Sequence, residues 1–475
     1  MTEKVYELFR ILNSIPRASH HEERVADFLC QYADELGLEY ERDEENCVVI
    51  RKPATLGHEH AEHIVLLNHM DMVAVGDGSR DFDPLCDGIE AYVEDGWMKA
   101  RGTSLGADNG IGLSMALAVL ADKSIVHGPL EVLTTTNEED GMSGAAAMHT
   151  DFIKGRKVIN LDSEDYDTIT VGAAGAYLQV ARLPIAKRNI PEVDRFYKIQ
   201  IHGGLGGHSG VDINKGRINA NREMCHALLA IRETVCPTLH LADIDGGVAN
   251  ASIPGSCTAI VGVGKSEETA LIKHIELRDT LLKQMYPEEP HVAMTIEKTD
   301  YAEGVIVATD DILRLIDSLP CGVIKMHSQM PDTPMTSNNI GRVTSRDGYL
   351  TVSCHTRSFD DREMEEWANI CTHSFKSIGA DVEVIMNTPG WQENPQSEYL
   401  QTVDATFRDV LGFTPRKVAM HFVLEAGYYV QKFPDIEIAC IGPRIVDPHS
   451  TKERVELTTV HNIYSVLLEL MKRMA

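Results

Sequence analysis

Four apolar runs in this chain each end in a loop of metal-ligand residue types. Leu66-Leu67-Asn68 leads into His69-Met70-Asp71, and Leu133-Thr134-Thr135-Thr136-Asn137 leads into Glu138-Glu139-Asp140. Ile159-Asn160-Leu161 leads into Asp162-Ser163-Glu164, and Ile438-Ala439-Cys440-Ile441 reaches Asp447-Pro448-His449 after a loop. One such ending is ordinary. Four of them, with two histidines and several carboxylates, supply what a metal site needs. In α/β sheets ligands gather outside the carboxyl ends of the strands. Mixed His/Asp/Glu ligation without cysteine suits zinc, and also manganese or cobalt.

Within these loops the spacing suggests a division of labour. His69 and Asp71 are two apart, so in extended chain both point to one side. One can ligate while the other orients the imidazole through its second nitrogen. Glu138 and Glu139 are neighbours and in extended chain point apart. One can ligate while the other stays free as a base. A fifth element, Gly102-Thr103-Ser104-Leu105-Gly106-Ala107-Asp108-Asn109-Gly110-Ile111-Gly112, puts Asp108 at a helix entry. There Asp can be a plain N-cap. A glycine-rich helix entry can also bind phosphate, but residues 102–112 hold no G-K-[ST], and a carboxylate facing a cation fits better. Taken singly, each motif also reads as a polar strand end, a cap or a solvated acidic turn.

The elements that must position these loops alternate between helix and strand. Val5, Leu8, Phe9, Leu12 and Ile15 recur at helical spacing, and that helix ends near Pro16. A second helix is expected over residues 22–36, with Gly37 as its C-cap, and another over 109–121. The short apolar runs between them read as buried strands of a parallel or mixed sheet. Residues 183–191, Leu-Pro-Ile-Ala-Lys-Arg-Asn-Ile-Pro, read as a connection between domains, and Asn387-Thr388-Pro389-Gly390-Trp391 as a second boundary. A helix over 218–233 belongs to the part between. A helix over 398–411, a strand over 437–441 and a terminal helix from 458 follow the second boundary. The fold class expected is α/β: a mixed-sheet catalytic domain (1–187 and 388–475) interrupted by an inserted α+β domain (188–387).

Composition removes several function classes. The 475 residues are 43% hydrophobic and 24% charged, enough for a sizeable core. The formal charge is −28, which argues against nucleic acid, whose phosphates need basic side chains, and against an anionic membrane surface. No run approaches the roughly 18 apolar residues of a membrane span, and the N-terminal segment lacks the pattern of a secretory signal. The ten cysteines are scattered, with no C-x-x-C pair, and read as reduced cytoplasmic thiols. His58, His60 and His63, and the pair His20-His21, read as surface.

At these motifs the sequence resembles the aminoacyl-histidine dipeptidases, a branch of the two-metal aminopeptidase, carboxypeptidase and deacylase superfamily. The resemblance runs from Ile15-Pro16-Arg17-Ala18-Ser19 and Glu22-Glu23 through His69-Met70-Asp71-Met72-Val73, GTSLGADNGIG (102–112), Glu138-Glu139-Asp140-Gly141-Met142 and Asn160-Leu161-Asp162-Ser163-Glu164. It continues through Gly206-Gly207-His208-Ser209-Gly210 and Thr356-Arg357-Ser358 to His449-Ser450. It implies two divalent metal ions, zinc foremost, with His69 and Asp162 on one, Glu139 and His449 on the other, and Asp108 bridging. It implies Asp71 as the orienter of His69 and Glu138 as general base to a metal-bound hydroxide. His208 would reach the scissile carbonyl from an inserted lid domain, where Arg357 would grip a terminal carboxylate. A cis peptide at Asp108-Asn109, a homodimer and hydrolysis of Xaa-His or broader dipeptides are implied as well. Ala251, Phe422, Val423 and Ala173 depart from the family pattern. They fall on pocket and lid positions and bear on the preferred side chains rather than the reaction. Two other functions fit the residues: an amidohydrolase or deacylase of N-acyl amino acids, and a non-catalytic metal-holding protein. The spare carboxylate of Glu138 speaks against the last.

Overall fold

The computed structural model describes residues 2–301, 303–392, 394 and 396–475. The chain forms two compact units: residues 1–172, 393–419 and 425–475, and residues 173–392 with 420–424.

The first unit is organised by an eight-stranded sheet. Its order is Glu39–Arg42, Val48–Lys52, Leu130–Thr135, Ile64–His69, Lys157–Asn160, Glu437–Cys440, Thr168–Ala173 and Arg416–Met420. The four central strands are mutually parallel, and antiparallel strands flank them. The parallel four are the apolar runs that end in ligand-type loops, so all four loops leave the same end of the sheet. Ile64, Val65 and Leu66 are fully buried, because strands covered on both faces carry apolar residues at every position. The helix Ala107–Ala121 is buried almost throughout, which explains why its sequence is apolar all round rather than striped. The helix Glu23–Leu36 ends at Gly37 in the left-handed conformation, φ 67°, the C-cap expected of glycine.

The second unit is built on a separate, entirely antiparallel sheet. Its order is Ala293–Thr299, Arg195–His202, Cys257–Val263, His240–Gly246, Pro334–Arg346, Tyr349–Ser358, Gly175–Pro184 and Asp381–Thr388. Gly322–Met326 pairs along Pro334–Arg346. One continuous apolar core, including Tyr197, Ile199, Leu228, Ile316, Cys354 and Phe375, joins the strands to the helices Ala220–Thr234, Thr309–Ser318 and Asp361–Ser377.

The units divide at 172/173 and 392/393, whereas the sequence led us to expect boundaries at 187 and 387. The reason is local. Gly175–Pro184 is a long strand paired on both sides, to Tyr349–Ser358 and Asp381–Thr388. The proline- and charge-rich stretch after it, which reads as a linker, contains the short strand Lys187–Arg188 paired to Val305–Ile306. Residues 420–424 join the second unit although they lie far along the chain, and nothing in their composition marks this.

Candidate functional site

The expected ligands of the first unit come together in two triads that share one residue. The ligand-type atoms of His69, Asp108 and Asp162 lie within 4.8 Å of one another, as do those of Asp108, Glu139 and His449. His69 Nε2 is 3.2 Å from Asp108 Oδ1 and 3.3 Å from Asp162 Oδ1. His449 Nε2 is 3.0 Å from Asp108 Oδ2 and 2.9 Å from Glu139 Oε2. Asp108 therefore turns one oxygen to each imidazole.

Several parts of the chain hold Asp108 there. The Asp108-Asn109 peptide is cis, in agreement with the resemblance, and Asp108 and Asn109 depart from helical angles inside the helix 107–121. The buried carboxylate of Glu453 accepts the backbone N–H groups of Leu105, Gly106, Ala107 and Asp108, at 2.7–3.3 Å, satisfying donors that a helix start leaves free. Arg17, also buried, donates to the carbonyls of Met70, Asp71 and Gly106, tying the loop after one strand to the loop before the helix. Gly112 is required by packing: a Cβ there would meet Asn109 Oδ1 at 2.2 Å and Leu161 O at 2.3 Å.

Asp71 organises the neighbouring turn as well as His69. Its Oδ1 is 3.3 Å from His69 Nδ1, leaving Nε2 of the ring for the cluster. It also accepts from Ser19 Oγ and from the backbone N–H groups of Glu138 and Glu139. Residues 138–140 form a turn rather than extended chain, so the two glutamates separate through the turn held by Asp71, not through strand alternation. Glu138 accepts no hydrogen bond from another described residue. Non-glycine residues with φ near +57°, Asn137 and His449, stand at this site, a conformation that persists only where the surroundings enforce it.

Burial dominates the electrostatics. It pushes Glu138 well above the usual carboxylate range and raises Glu139 and Asp162. It also acts to raise Asp108, but hydrogen bonds from His449 and His69 outweigh it and hold that carboxylate low. The bonds to Asp108 and Glu139 lift His449 to about 11. Glu139 Oε1 is buried without a hydrogen-bond partner among the described residues. Clustered carboxylates that resist ionisation, a shared central carboxylate and an orphaned carboxylate oxygen fit divalent cations, which supply the missing positive charge.

The second unit carries a basic cluster. His208 Nδ1 accepts from the backbone N–H groups of Gly210 and Val211, at 3.3 and 3.2 Å, so in the neutral ring the proton sits on Nε2. Burial and then the positive charge of Arg357 lower the pKa of His208. Arg357 is 3% exposed, has no carboxylate within ion-pair distance among the described residues, and is pushed down to about 10 by burial. His421 Nε2 lies 2.8 Å from Ser337 Oγ. Of the positions that depart from the family pattern, Ala173 and Ala251 belong to this unit, with Phe422 and Val423.

Sequence reasoning assigned no role to Glu453, Glu425, His355 or His421. Glu453 sits in Thr451-Lys452-Glu453-Arg454, which looks like a solvated charge run. Glu425 is buried and raised to about 8 by that burial. His63 meets Glu131 at 3.4 Å and His20 meets Asp140 at 2.9 Å. Neither histidine joins a metal-type cluster among the described residues.

A parallel-centred sheet whose strand ends gather two histidines and a shared carboxylate defines a metal-dependent hydrolase. More particularly, the chain belongs to the peptidase family M20/M25/M40, whose model matches residues 65–473. It is 34% identical over 473 residues to the cytosol non-specific dipeptidase of Escherichia coli, covering 99% of this chain and 97% of that protein. Its structure is similar to that of aminoacylhistidine dipeptidase from Vibrio alginolyticus, with a TM-score of 0.94, 31% identity, and 99% and 96% of the two chains covered. The aminopeptidase PepT from Bacillus cereus, at TM-score 0.58 and 17% identity over 100% and 99% of the chains, shares the fold. Membership of this metallopeptidase family implies divalent-metal binding. Among the described residues, no helix is long and apolar enough to cross a membrane.

Proposed function

We propose that the chain is a metal-dependent dipeptidase in which His69 and Asp162 would hold one divalent ion and Glu139 and His449 a second, with Asp108 offering a carboxylate oxygen to each. The observation that carries this reading is the sharing of Asp108 by two triads, with the unbonded carboxylate of Glu138 in the adjoining turn. The donor set of imidazoles and carboxylates favours zinc, with manganese and cobalt as competitors. The dipeptidase names of the Escherichia and Vibrio relatives favour dipeptides over N-acyl amino acids and over a metal-holding role without turnover.

When bound, the ions would polarise the scissile carbonyl and make the attacking water more acidic. Glu138 takes the proton from that water and passes it to the leaving amine. A carboxylate whose pKa is raised by burial suits both halves of this exchange. Asp71 keeps His69 in the tautomer that leaves Nε2 free. His208, protonated on Nε2, donates to the developing oxyanion. Arg357 offers its guanidinium fork to the substrate's free carboxylate.

The cytoplasm is the compartment this reading implies: all ten cysteines are free, and the Escherichia relative is named for the cytosol. A homodimer completes the proposal, and sedimentation tests it. The deciding experiment strips metal with a chelator, restores zinc, manganese or cobalt, and assays dipeptides, tripeptides and N-acetyl amino acids. We expect metal-restored turnover of dipeptides. Turnover of N-acetyl amino acids alone, or of nothing with any metal, would overturn the proposal.

A further inference from the structure

On the strand Tyr349–Ser358, His355 and Arg357 are two residues apart and so face the same side of the sheet. Directly across, on Pro334–Arg346, their partners are Asn339 and Ser337. This strip is polar yet closed off: Asn339, Ser337, His355 and Arg357 are all buried. Cys354, just before His355, points to the opposite face and belongs to the apolar core of the same unit. Buried polar side chains are ordinarily hydrogen-bonded, so one left without a partner calls for an explanation.

Ser209 is the node of the strip. Arg357 donates Nε–H and Nη2–H to the single Ser209 Oγ, each at 3.3 Å. The same Oγ lies 3.5 Å from His355 Nδ1. A hydroxyl oxygen that accepts two bonds has one proton left to donate, and with both lone pairs engaged by Arg357 the serine can only donate to His355 Nδ1. In a neutral ring this puts the proton of His355 on Nε2. Burial and then the charge of Arg357 hold the ring well below its usual pKa, so neutral is its state. Nε2 is buried and has no hydrogen-bond partner among the described residues. Nη1 of Arg357 likewise makes no hydrogen bond to a described residue. The strip therefore presents two kinds of unspent donor, one neutral and one charged, fixed through one serine, and no acceptor of their own.

We infer that His355 is a specificity residue for the substrate's free carboxylate: its Nε2–H donates to the carboxylate that Arg357 takes, and Ser209 positions both donors. This rests on the dipeptidase reading and on Arg357 as the carboxylate group's cation, and adds the neutral donor beside it. A guanidinium alone attracts any anion. A second, neutral donor at a fixed angle selects a planar, two-oxygen acceptor over a terminal amide, which presents one oxygen and an N–H that would oppose the imidazole N–H.

The test compares the metal-loaded wild type with His355→Phe, His355→Gln and Ser209→Ala, on L-alanyl-L-histidine and its C-terminal amide. Wild type should prefer the free acid. His355→Phe keeps a ring and loses the donor, so KM for the acid should rise ~10-fold or more, the worth of a hydrogen bond to a charged group. Its kcat should change less, so the acid-over-amide preference falls by about the same factor. His355→Gln restores an N–H and should recover most of that preference. Ser209→Ala should move KM in the same direction as His355→Phe. A well-folded His355→Phe, by circular dichroism and melting, that keeps the wild-type preference would overturn the inference while leaving the dipeptidase reading intact. Should His355→Phe not fold, an unchanged preference in both His355→Gln and Ser209→Ala would overturn it too. A wild type that cleaves neither compound would sink the dipeptidase reading, and this inference with it.

Discussion

The two polar clusters of this molecule are mirror images in charge. In the first unit, burial raises the carboxylates Glu138, Glu139 and Asp162. In the second, burial lowers the imidazoles of His208, His355 and His421 and the guanidinium of Arg357. Desolvation opposes the charged form whatever its sign, so on the function proposed above each cluster is prepared by the charge it lacks: cations for the acids, an anion for the bases. They are also built differently. The acidic cluster stands on loops after parallel strands and is braced by Asp71, Arg17 and Glu453. Much of the basic cluster stands on the strands themselves, at fixed register. A metal tolerates donors arriving from loops because its own bonds draw them in. A carboxylate makes weaker bonds, so its donors must be placed beforehand.

The largest blow to this picture should come from Glu138→Gln. Glutamine keeps the shape and cannot take the proton, so kcat should fall ~10²–10⁴-fold, the usual worth of general-base catalysis. Metal content, measured by elemental analysis, should stay at the wild-type value. Near-normal turnover would mean that the acidic cluster has a different base. On the basic side, Arg357→Ala should lower kcat/KM for free-acid dipeptides roughly 10–100-fold, as expected for one hydrogen-bonded charge. The loss should lie mainly in KM, and the penalty for amidating the substrate should shrink in the variant. An equal amidation penalty in both enzymes would show that Arg357 does not read the carboxylate.

Glu453→Gln tests whether bracing matters as much as ligation. Glutamine can offer one amide oxygen to a set of four backbone donors, and its NH₂ would oppose the remainder. The loss should be roughly 1.5–3 kcal/mol, the range for buried hydrogen bonds to a charged group, read as a lower denaturant midpoint. Metal affinity should weaken in parallel, since the Asp108 loop is what Glu453 holds. A variant with wild-type stability and metal content would make Glu453 a bystander.

The acidic cluster was largely legible in the sequence, and the basic one was not. The loops that hold His69, Glu139, Asp162 and His449 could be gathered from apolar runs, because parallel strands deliver their carboxyl ends to one place, and Asp108 from a glycine-rich helix entry; the choice of ligands within those loops came from the family resemblance. Arg357 and His208 could be singled out only through the family resemblance. His355, Ser209 and His421 escaped even that as a group, because their union depends on antiparallel register and on a return of residues 420–424 to a unit they are remote from in sequence. Glu138 and Glu139 were expected to diverge by strand alternation. They lie instead in a turn, whose two successive backbone N–H groups donate to Asp71. The domain boundary at 187 was misread for a related reason: Lys187 and Arg188 pair as a short strand, where paired backbone and a polar, charged exterior look like linker composition.

The smallest effect expected distinguishes the clusters by their response to acid. His421 is buried, and burial and then the charge of Arg357 hold it at about 3, against about 6.5 for an unfolded histidine. Between those values the unfolded chain binds a proton that the folded chain refuses. Stability then rises with pH across the window, is fully present above pH ~6.5, and is lost as pH falls toward the folded value. The slope for one such proton is at most ~1.4 kcal/mol per pH unit. His421→Gln removes the titration while keeping a polar group near Ser337. Between pH 6.5 and 5 the wild type should therefore lose up to ~2 kcal/mol more stability than the variant, whatever the absolute difference at pH 7. Urea unfolding of both proteins at pH 7, 6.5, 5.5 and 5 measures this directly, and the contribution of every other group, the acidic cluster included, cancels in the comparison. Parallel pH profiles would mean that His421 titrates normally in the folded protein. The basic cluster would then lack the closed, anion-seeking character that sets it opposite the acidic one.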